Sequence, residues 1–385
     1  MVFSSALENK NIFIFKLLLL VWIIAIPFKN AVYQISVVAI IIFFIVHLLK
    51  TKNFDILIDN YKKTKYLSYG FISIIISMVL ANLFSLELLD KKSWHIIYMF
   101  VIRYGFMFVI LAYFYKLEFF NKKEIITTVL LSLSLLMLTG LYQVVENPNV
   151  VLERGITGTL DNRNAFGLFM GMGLVLSSLI IKDKKILGLF LVLIFSFFMI
   201  FSFSRSSWVA SCFSLIILFA LNYKKIKTLY FIYFFMFCIF LLSLYFGFDS
   251  FQNRFNQLLE GNSSGRIEIW TRTLIFVKQN LILGYGIDSW KSLPDPFLNR
   301  FPDAHNLFLE ILIYTGLVGF IACFYTILVV ILKIFITKKS ILFPVAAYFL
   351  VVAQFDFGAF GSKELLSFLT IFVFLVYSDS FKVAK

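Results

Sequence analysis

The chain has 385 residues, of which 61% are hydrophobic and 15% are charged, and its formal net charge is +14. A soluble domain of this length has too little interior to hide so much apolar surface. The lysines stand in short segments between apolar runs, where they indicate membrane topology, so the positive charge does not predict nucleic-acid binding.

Apolar runs long enough to cross about 30 Å of hydrocarbon recur along the whole chain. We predict an all-α, polytopic membrane protein that forms a single integral membrane domain over residues 1–385, with about twelve transmembrane helices. Gly316 and Gly319 are predicted to break the span 306–332 or to permit close helix contact. The predicted spans are 12–28, 31–49, 66–86, 94–115, 125–145, 164–181, 186–203, 206–222, 228–247, 306–332, 341–358 and 364–379.

An even number of spans places both termini on one side of the membrane. The segments assigned to that side contain lysine and no arginine, so the positive-inside rule predicts that the N- and C-termini are cytoplasmic. Arg103 lies within a span. The arginines assigned to the outer side are Arg154, Arg163, Arg205, Arg254, Arg266, Arg272 and Arg300.

This segregation of arginine predicts recognition of an anion on the outer face. Topology requires only positive charge, which lysine supplies, whereas the planar guanidinium also matches the oxygens of phosphate and carboxylate. The alternative is that arginine tolerates the interface because its long side chain reaches water. Arg103, inside a span, is a functional-site hypothesis without a named partner.

Two outer segments are long, at about 146–163 and 248–305. The second is large enough to carry short amphipathic helices of its own. Its acidic and basic residues nearly cancel, so it does not read as a polybasic patch for lipid headgroups.

The first candidate site lies in the segment from Arg154 to Asn164. Its glycines and asparagines predict a tight turn where the chain re-enters the membrane. Contact with substrate and a simple turn with a helix cap remain alternatives for Arg154, Asp161, Asn162, Arg163 and Asn164.

The second candidate site is the polar break around Ser204-Arg205 between two apolar runs. The turn has only a few residues, so Arg205 is predicted at the outer membrane boundary. Its guanidinium would contact an anion at headgroup depth, with serine hydroxyls as further donors. The alternative is a turn residue that reaches to water.

The third candidate site is Arg266, in the first turn of a predicted helix capped by Ser264 or Gly265. A cation is unfavourable at a helix N-terminus, by up to about 1 kcal/mol. An anion bound there would offset that cost, because the backbone N–H groups and the guanidinium would converge on it. The alternative is an exposed arginine on a helix lying along the bilayer.

The same predicted helix has apolar residues at helical spacing, namely Ile267, Trp270, Leu274 and Val277. Arg272 is placed to pair with Glu268 one turn earlier.

The fourth candidate site is His305, where the long outer segment re-enters the membrane. A neutral imidazole accepts a proton from a hydroxyl near neutral pH, and Asp303 or Glu310 would orient it. Asn306 adds a polar neighbour. The alternative is a histidine that only caps or packs. We find no metal-ligand spacing and no Walker A loop in the sequence, so no metal, cofactor or nucleotide is predicted.

At these residues the chain resembles the O-antigen ligase and polymerase superfamily, over roughly residues 150–330. The matching features are Ser204-Arg205, the stretch from Arg266 and Trp270 to Gly284-Tyr285-Gly286, and His305-Asn306 followed by two glycines. Asp161-Asn162-Arg163-Asn164 is similar to the family's asparagine-bearing segment. The sequence departs from the family where Asn280-Leu-Ile-Leu stands before the first glycine, since members often have a proline there.

The resemblance implies a bacterial inner-membrane glycosyltransferase whose active site faces the periplasm. It implies a metal-independent, inverting transfer of a glycan from undecaprenyl diphosphate to lipid A-core. Arg205 and Arg266 would bind the diphosphate and His305 would activate the acceptor hydroxyl. The residues assigned to substrate binding are Arg154, Asp161, Asn162, Arg163, Asn164, Ser204, Trp270, Arg272, Asp303, Asn306 and Glu310.

Other functions remain open from the sequence. A polymerase that joins repeat units uses the same chemistry, and so does transfer of the glycan to protein, which usually comes with a longer chain. A transporter or flippase of an anionic lipid is the alternative from another class, and it predicts ionisable residues along mid-membrane paths. The oligomeric state is not indicated.

Overall fold

The computed structural model describes residues 2–28, 30–85, 91–181, 184–222, 245–261, 263–337, 342–355, 360 and 362–381. Within those ranges the regular structure is helical and includes no strand, which confirms the predicted all-α class.

The chain divides into two compact units. Unit 1 comprises Met1–Ser132, Ile269–Thr337 and Phe357–Lys385, and unit 2 comprises Leu133–Glu268 and Lys338–Asp356.

The described helices of unit 1 include most of its apolar runs. They are α1 (Val2–Ala25), α2 (Asn30–Thr51), α3 (Phe54–Phe84), α4 (Lys91–Phe100), a π-helical segment (Val101–Phe106), α5 (Met107–Lys116), the first part of α6 (Lys122–Glu146), most of α12 (Arg266–Gln279), α13 (Leu307–Ile336) and α15 (Lys363–Phe381).

The described helices of unit 2 are fewer. They are the rest of α6, α7 (Pro148–Arg154), α8 (Arg163–Ile180), α9 (Lys185–Phe201), α10 (Arg205–Asn222), α11 (Asp249–Leu259) and α14 (Phe343–Val352).

Seven helical stretches of the described chain have the length and apolar composition needed to cross a membrane. α9, α10 and α14 are shorter apolar helices. The predicted span 228–247 lies outside the described residues except for its last three positions, so the total of about twelve spans remains a prediction. The seven stretches are Asn30–Thr51, Phe54–Phe84, Lys91–Lys116, Lys122–Glu146, Arg163–Ile180, Leu307–Ile336 and Lys363–Phe381.

Several helices differ in length from the predicted spans, and α3 and α14 are two of them. α3 begins at Phe54, a dozen residues before the predicted span 66–86, because Asp59 pairs with Lys63 one turn later at 2.8 Å and lysine is a good helix former. α14 has 10 residues and ends at Val352, short of the predicted end at 358. Its rise of about 15 Å is half the hydrocarbon thickness.

Ion pairs at one end of unit 1 join helices that are distant in sequence. Lys116 at the end of α5 pairs with Asp59 near the start of α3, and Lys122 at the start of α6 pairs with Asp379 near the end of α15. The ends that meet here are those that the predicted alternation of spans assigns to the cytoplasmic side. The side of the membrane that they face remains a prediction.

At the opposite end of unit 1, the starts of α2, α4 and α15 and the end of α3 make contacts with other segments. Lys363 Nζ at the start of α15 donates a hydrogen bond of 2.5 Å to the Phe28 carbonyl, just before α2. The Asn82 Oδ1 atom at the end of α3 accepts from the Ile287 N–H at 2.7 Å. Lys92 at the start of α4 pairs with Asp288. The part of the long outer segment that belongs to unit 1 therefore packs on this end.

A break in α13 occurs within a candidate membrane span. Gly316 has φ 61° and ψ −160°, which interrupts the helix. The residues on either side of it pair with the preceding loop: Tyr285 N–H donates to Ile313 O at 2.7 Å, and Leu317 N–H donates to Leu281 O at 2.8 Å. The broken helix therefore has its backbone groups satisfied by protein, as an irregular segment at membrane depth requires.

The glycines at this break have no room for a side chain. A Cβ atom on Gly284, whose φ is +70°, would lie 2.5 Å from Ile313 O. A Cβ on Gly319 would lie 3.0 Å from Ser77 Oγ on α3. Both predicted roles are thus confirmed, because Gly316 breaks the helix and Gly319 permits a close helix contact.

Unit 2 is also closely packed. Tyr348 on α14 donates a hydrogen bond of 2.6 Å to the Leu168 carbonyl on α8, and Ser214 on α10 donates one of 2.6 Å to Pro344 O. A Cβ on Gly171 would lie 2.4 Å from the Tyr348 hydroxyl. These contacts hold α8, α10 and α14 together.

Candidate active site

Arg205 is the first residue of α10 and follows the turn Ser202–Ser204, which separates it from α9. Phe203 has a φ of 54°, the left-handed conformation that lets the chain reverse within three residues. The short turn predicted from the sequence is therefore present. Arg205 is only 9% exposed, so its guanidinium is held within the protein.

The Arg205 guanidinium is held by residues more than fifty positions away. Its Nη1 donates to the Gln257 carbonyl at 3.0 Å, and its Nη2 donates to the Ser264 hydroxyl. Arg254 Nη1 donates to the side-chain oxygen of the same glutamine at 3.1 Å. Burial lowers the pKa of the Arg254 guanidinium. Gln257 therefore joins two arginines, in the segment that leads to Arg266.

Ser204, which is predicted to bind substrate, is buried against other serine side chains. Its Oγ lies 2.8 Å from the Ser207 hydroxyl and 3.1 Å from that of Ser206, and the side chain is fully buried. A Cβ on Gly167 of α8 would lie 2.6 Å from the Ser204 Cβ. Small hydroxyl side chains fit here because α8 approaches the turn closely.

Arg266 begins α12, so both arginines predicted to bind the diphosphate stand at the first residue of a helix. The Arg266 guanidinium lies 5.9 Å from the ring centroid of Phe355 in the same unit. Gly265, one of the two predicted capping residues, directly precedes the helix, and the Ile267 N–H donates a 3.5 Å hydrogen bond to the Ser263 hydroxyl. The Ser264 hydroxyl accepts from Arg205.

The apolar face predicted for α12 is only partly correct. Val277 is buried, but Ile267 and Leu274 are exposed. Ile269 and Phe276 are the other buried apolar residues of this helix. The spacing favoured the wrong face because α12 has apolar residues on two sides, and periodicity alone does not show which one packs on protein.

The segment Arg154–Asn164 forms a turn and a helix cap. Asn162 accepts hydrogen bonds from the N–H groups of Asn164 and Ala165 and so caps α8. Arg163 Nη1 donates to the Arg154 carbonyl at 3.3 Å, and Asp161 has a φ of 54°. Substrate contact by this segment remains a prediction.

In unit 1, His305 is oriented by Asp303. The ring Nδ1 lies 3.0 Å from Asp303 Oδ1, which also accepts from the His305 backbone N–H at 2.7 Å. An Nδ1–H donated to the carboxylate leaves Nε2 as the basic nitrogen. Burial acts to raise the pKa of the Asp303 carboxyl, but the hydrogen bonds from His305 outweigh it and hold the pKa below its usual value.

Asn306 and Glu310 lie in the same stretch. Asn306 accepts hydrogen bonds from the N–H groups of Phe308 and Leu309 and so caps α13. Glu310 is 3% exposed and hydrogen-bonds to Tyr314 one turn later. Of the two acidic residues predicted to orient His305, Asp303 makes the contact to its ring.

Trp270 and Arg272 support the loop that carries His305. Trp270 Nε1 donates to the Ala304 carbonyl at 3.1 Å. Arg272 pairs with Asp295 at 3.3 Å, and its guanidinium lies 4.5 Å from the Phe297 ring centroid. Both side chains therefore hold the fold of this loop.

Asp303→Asn is expected to reduce the acid sensitivity of the folded protein. The ionised carboxylate is favoured in the fold, so it stabilises fully above the pKa of an unfolded aspartate, about 4. That stabilisation is lost as the pH falls through the lower pKa of the folded state. Thermal unfolding in detergent at about pH 6 and pH 3 should show a smaller loss in the variant than in the wild type. Glu260→Gln, an exposed change, should behave as the wild type, and an equal loss in Asp303→Asn would contradict the prediction.

Sequence reasoning missed the residues that hold Arg205. Ser264 had a signal, since it is a hydroxyl residue beside Arg266. Gln257 accepts from Arg205 through its backbone carbonyl, and a backbone contact cannot be predicted from a pattern of side chains. From the sequence, Arg254 is only one of the arginines assigned to the outer side. Among the described residues, no group of three or more His, Cys, Asp or Glu side chains forms a metal-binding set.

Residues 189–324 match the family described as O-antigen ligase. That match supports the O-antigen ligase superfamily for this segment. It includes Arg205, Arg266 and His305, whereas Arg154–Asn164 precedes it. The O-antigen ligase match supports a ligase or polymerase reaction on lipid-linked glycans in a membrane. No curated protein matches the chain.

Proposed function

We propose that this protein is an O-antigen ligase of the bacterial inner membrane, which transfers a polysaccharide from undecaprenyl diphosphate to lipid A-core on the periplasmic face. The observation that carries the proposal is the hydrogen bond from Arg205 to Ser264. It joins one helix-initial arginine to the residue two positions before the other, Arg266. Two cations and two helix N-termini in one unit suit a diphosphate.

The donor end of the reaction needs cations where negative charge develops. When the bond from the anomeric carbon to the diphosphate oxygen breaks, the leaving undecaprenyl diphosphate takes the electron pair. Arg205 and Arg266 would stabilise that charge through their guanidinium groups, and Arg254 adds a third cation to the cluster. Because these charges are permanent, the proposed transfer needs no metal ion.

The acceptor end needs a base. In the proposed step the acceptor hydroxyl gives its proton to His305 Nε2, and its oxygen bonds to the anomeric carbon from the face opposite the leaving group, with inversion. Asp303 would hold the ring in the required tautomer and stabilise the imidazolium that forms. The short contact between Nδ1 and the carboxylate supports this assignment.

Deletion of the gene is expected to leave lipid A-core without polysaccharide and to accumulate the polymer on its lipid carrier. Electrophoresis of lipopolysaccharide from the deletion strain, with and without the wild-type gene, measures this directly. The polymerase alternative gives a different pattern, a core that bears one repeat unit. An unchanged pattern of full-length lipopolysaccharide would contradict both enzymes.

A further inference from the structure

Two cations in unit 1 lie outside the proposed transfer chemistry. Arg103 belongs to the π-helical segment Val101–Phe106, inside the candidate span Lys91–Lys116. Its guanidinium carbon lies 5.4 Å from the centroid of the Tyr33 ring. Lys363 Nζ lies 5.5 Å from the same centroid. A fully buried tyrosine ring therefore has two cations against it.

The charges of this cluster do not balance among the described residues. Lys363 Nζ donates to the Phe28 carbonyl and lies 3.4 Å from the Glu364 carboxylate. Tyr104, which follows Arg103 in the same π-helical segment, is a neutral residue and adds no negative charge. Two cations thus face one described carboxylate, and a net positive charge within a membrane protein needs an anion or water.

The cluster lies where two helices begin. Tyr33 is in the first turn of α2, and Lys363 is the first residue of α15. The N-terminal ends of both helices add positive potential at this point. Because α2 and α15 are both candidate spans, their first turns belong at a membrane boundary. Arg103 lies deeper within its own span, and its long side chain extends to the Tyr33 ring at this boundary.

The cluster is also fixed before any ligand arrives. The Tyr33 hydroxyl lies 2.8 Å from Ser367 Oγ, which ties α2 to α15 and holds the ring between the cations. The π-helical turn that carries Arg103 is a rare element that recurs at functional sites. Lys363 is 7% exposed, while Arg103 is partly exposed.

We propose that Arg103 and Lys363 bind the phosphate group of a membrane lipid at this end of unit 1. The planar guanidinium fits two phosphate oxygens and the ammonium supplies a point charge. The phosphate belongs either to an ordinary anionic phospholipid or to the phosphorylated glycolipid acceptor, and only the second case rests on the proposed function.

Native mass spectrometry of the purified full-length protein tests this site, with phosphatidylglycerol as the probe. Arg103→Gln and Lys363→Gln are each expected to weaken binding about tenfold, the size of losing one charge-assisted hydrogen bond. The matched control is Lys333→Gln, because Lys333 lies 5.2 Å from the Tyr377 ring centroid in the last turn of α13 and has the same kind of contact. It should bind like the wild type.

Competition with diphosphorylated lipid A separates the two sources of phosphate. Displacement of phosphatidylglycerol at a lower concentration indicates the acceptor, and equal competition indicates a general lipid site. Wild-type binding in both Gln variants, or an equal loss in Lys333→Gln, overturns the proposal. If Arg103→Gln fails to insert into the membrane, binding to Lys363→Gln still tests the site. Because binding is measured without transfer, failure here is distinct from failure of the ligase assignment.

Discussion

Arg205→Ala is expected to lower glycan transfer by at least about a hundredfold while the protein still inserts into the membrane. The guanidinium is buried at the start of α10 and is held by Gln257 and Ser264, so it is positioned before the donor binds. A preorganised cation stabilises developing charge without reorganisation, which water entering the vacated space would not do. Transfer in membrane vesicles with a purified lipid-linked donor measures the loss.

Lysine substitutions at Arg205 and Arg266 distinguish the effect of the positive charge from that of the planar guanidinium. Arg205→Lys and Arg266→Lys keep the charge but lose the planar fork, so they should retain partial activity between that of alanine and that of the wild type. Arg300→Ala is the matched control, since Arg300 is an exposed arginine of the same long segment and should leave transfer unchanged. Full activity in Arg205→Ala, at wild-type protein level, would remove Arg205 from the donor site.

Ser264→Ala tests whether glycan transfer depends on the hydrogen bond between Arg205, at the start of α10, and Ser264, just before α12. This variant keeps both arginines and removes the hydroxyl that accepts from Arg205. We expect a loss of about tenfold, smaller than that of Arg205→Ala, because a misplaced cation still contributes charge. The effect should appear mainly in the turnover rate if the guanidinium acts in the transition state.

The sequence was a good guide to the helices because apolar length and charge are local properties. Errors arose where local signals compete. The charge of the lysines before residue 66 predicts a loop there. The structure instead has α3 across these lysines, with Asp59 and Lys63 paired one helical turn apart. α14 ends at Val352, before Gln354, although the predicted span runs to 358, so hydropathy averaged over a span does not locate the helix end.

The sequence suggests which residues to assign to the candidate site, but it does not give their contacts. Arg205 and His305 stand out because one is a cation and the other a titratable side chain, and each lies next to an apolar run. Ser264 is separated from Arg205 by 59 positions, and no spacing rule connects them. The cap made by Asn306 follows from its place just before a helix, a signal readable from sequence.

The glycines that support the family resemblance have a physical role that the sequence did not show. Gly284 and Gly286 lie in the loop segment that pairs with the broken backbone of α13. A side chain on Gly284 would collide with Ile313 O, and the break at Gly316 requires the same close approach. These glycines therefore fix the loop of unit 1 that continues to Asp303 and His305, far from the arginines in sequence.

His305→Ala is expected to reduce turnover by about a hundredfold to ten-thousandfold, the range for loss of a general base. The reason is that the acceptor hydroxyl must lose its proton as its oxygen bonds to the anomeric carbon. Donor binding should remain, because the cations assigned to the diphosphate are unchanged. Binding of the lipid-linked donor and single-turnover transfer, measured on the same preparation, distinguish these two effects.

Asp303→Asn provides the partner test for His305. Asparagine has nearly the same shape but no charge, so it no longer stabilises an imidazolium and it can present either an oxygen or an amide N–H to Nδ1. We expect turnover to fall with little change in donor binding, and to fall no further when Asp303→Asn is combined with His305→Ala. Independent, multiplying losses in the double variant would show that the carboxylate acts on something other than the ring it contacts at 3.0 Å.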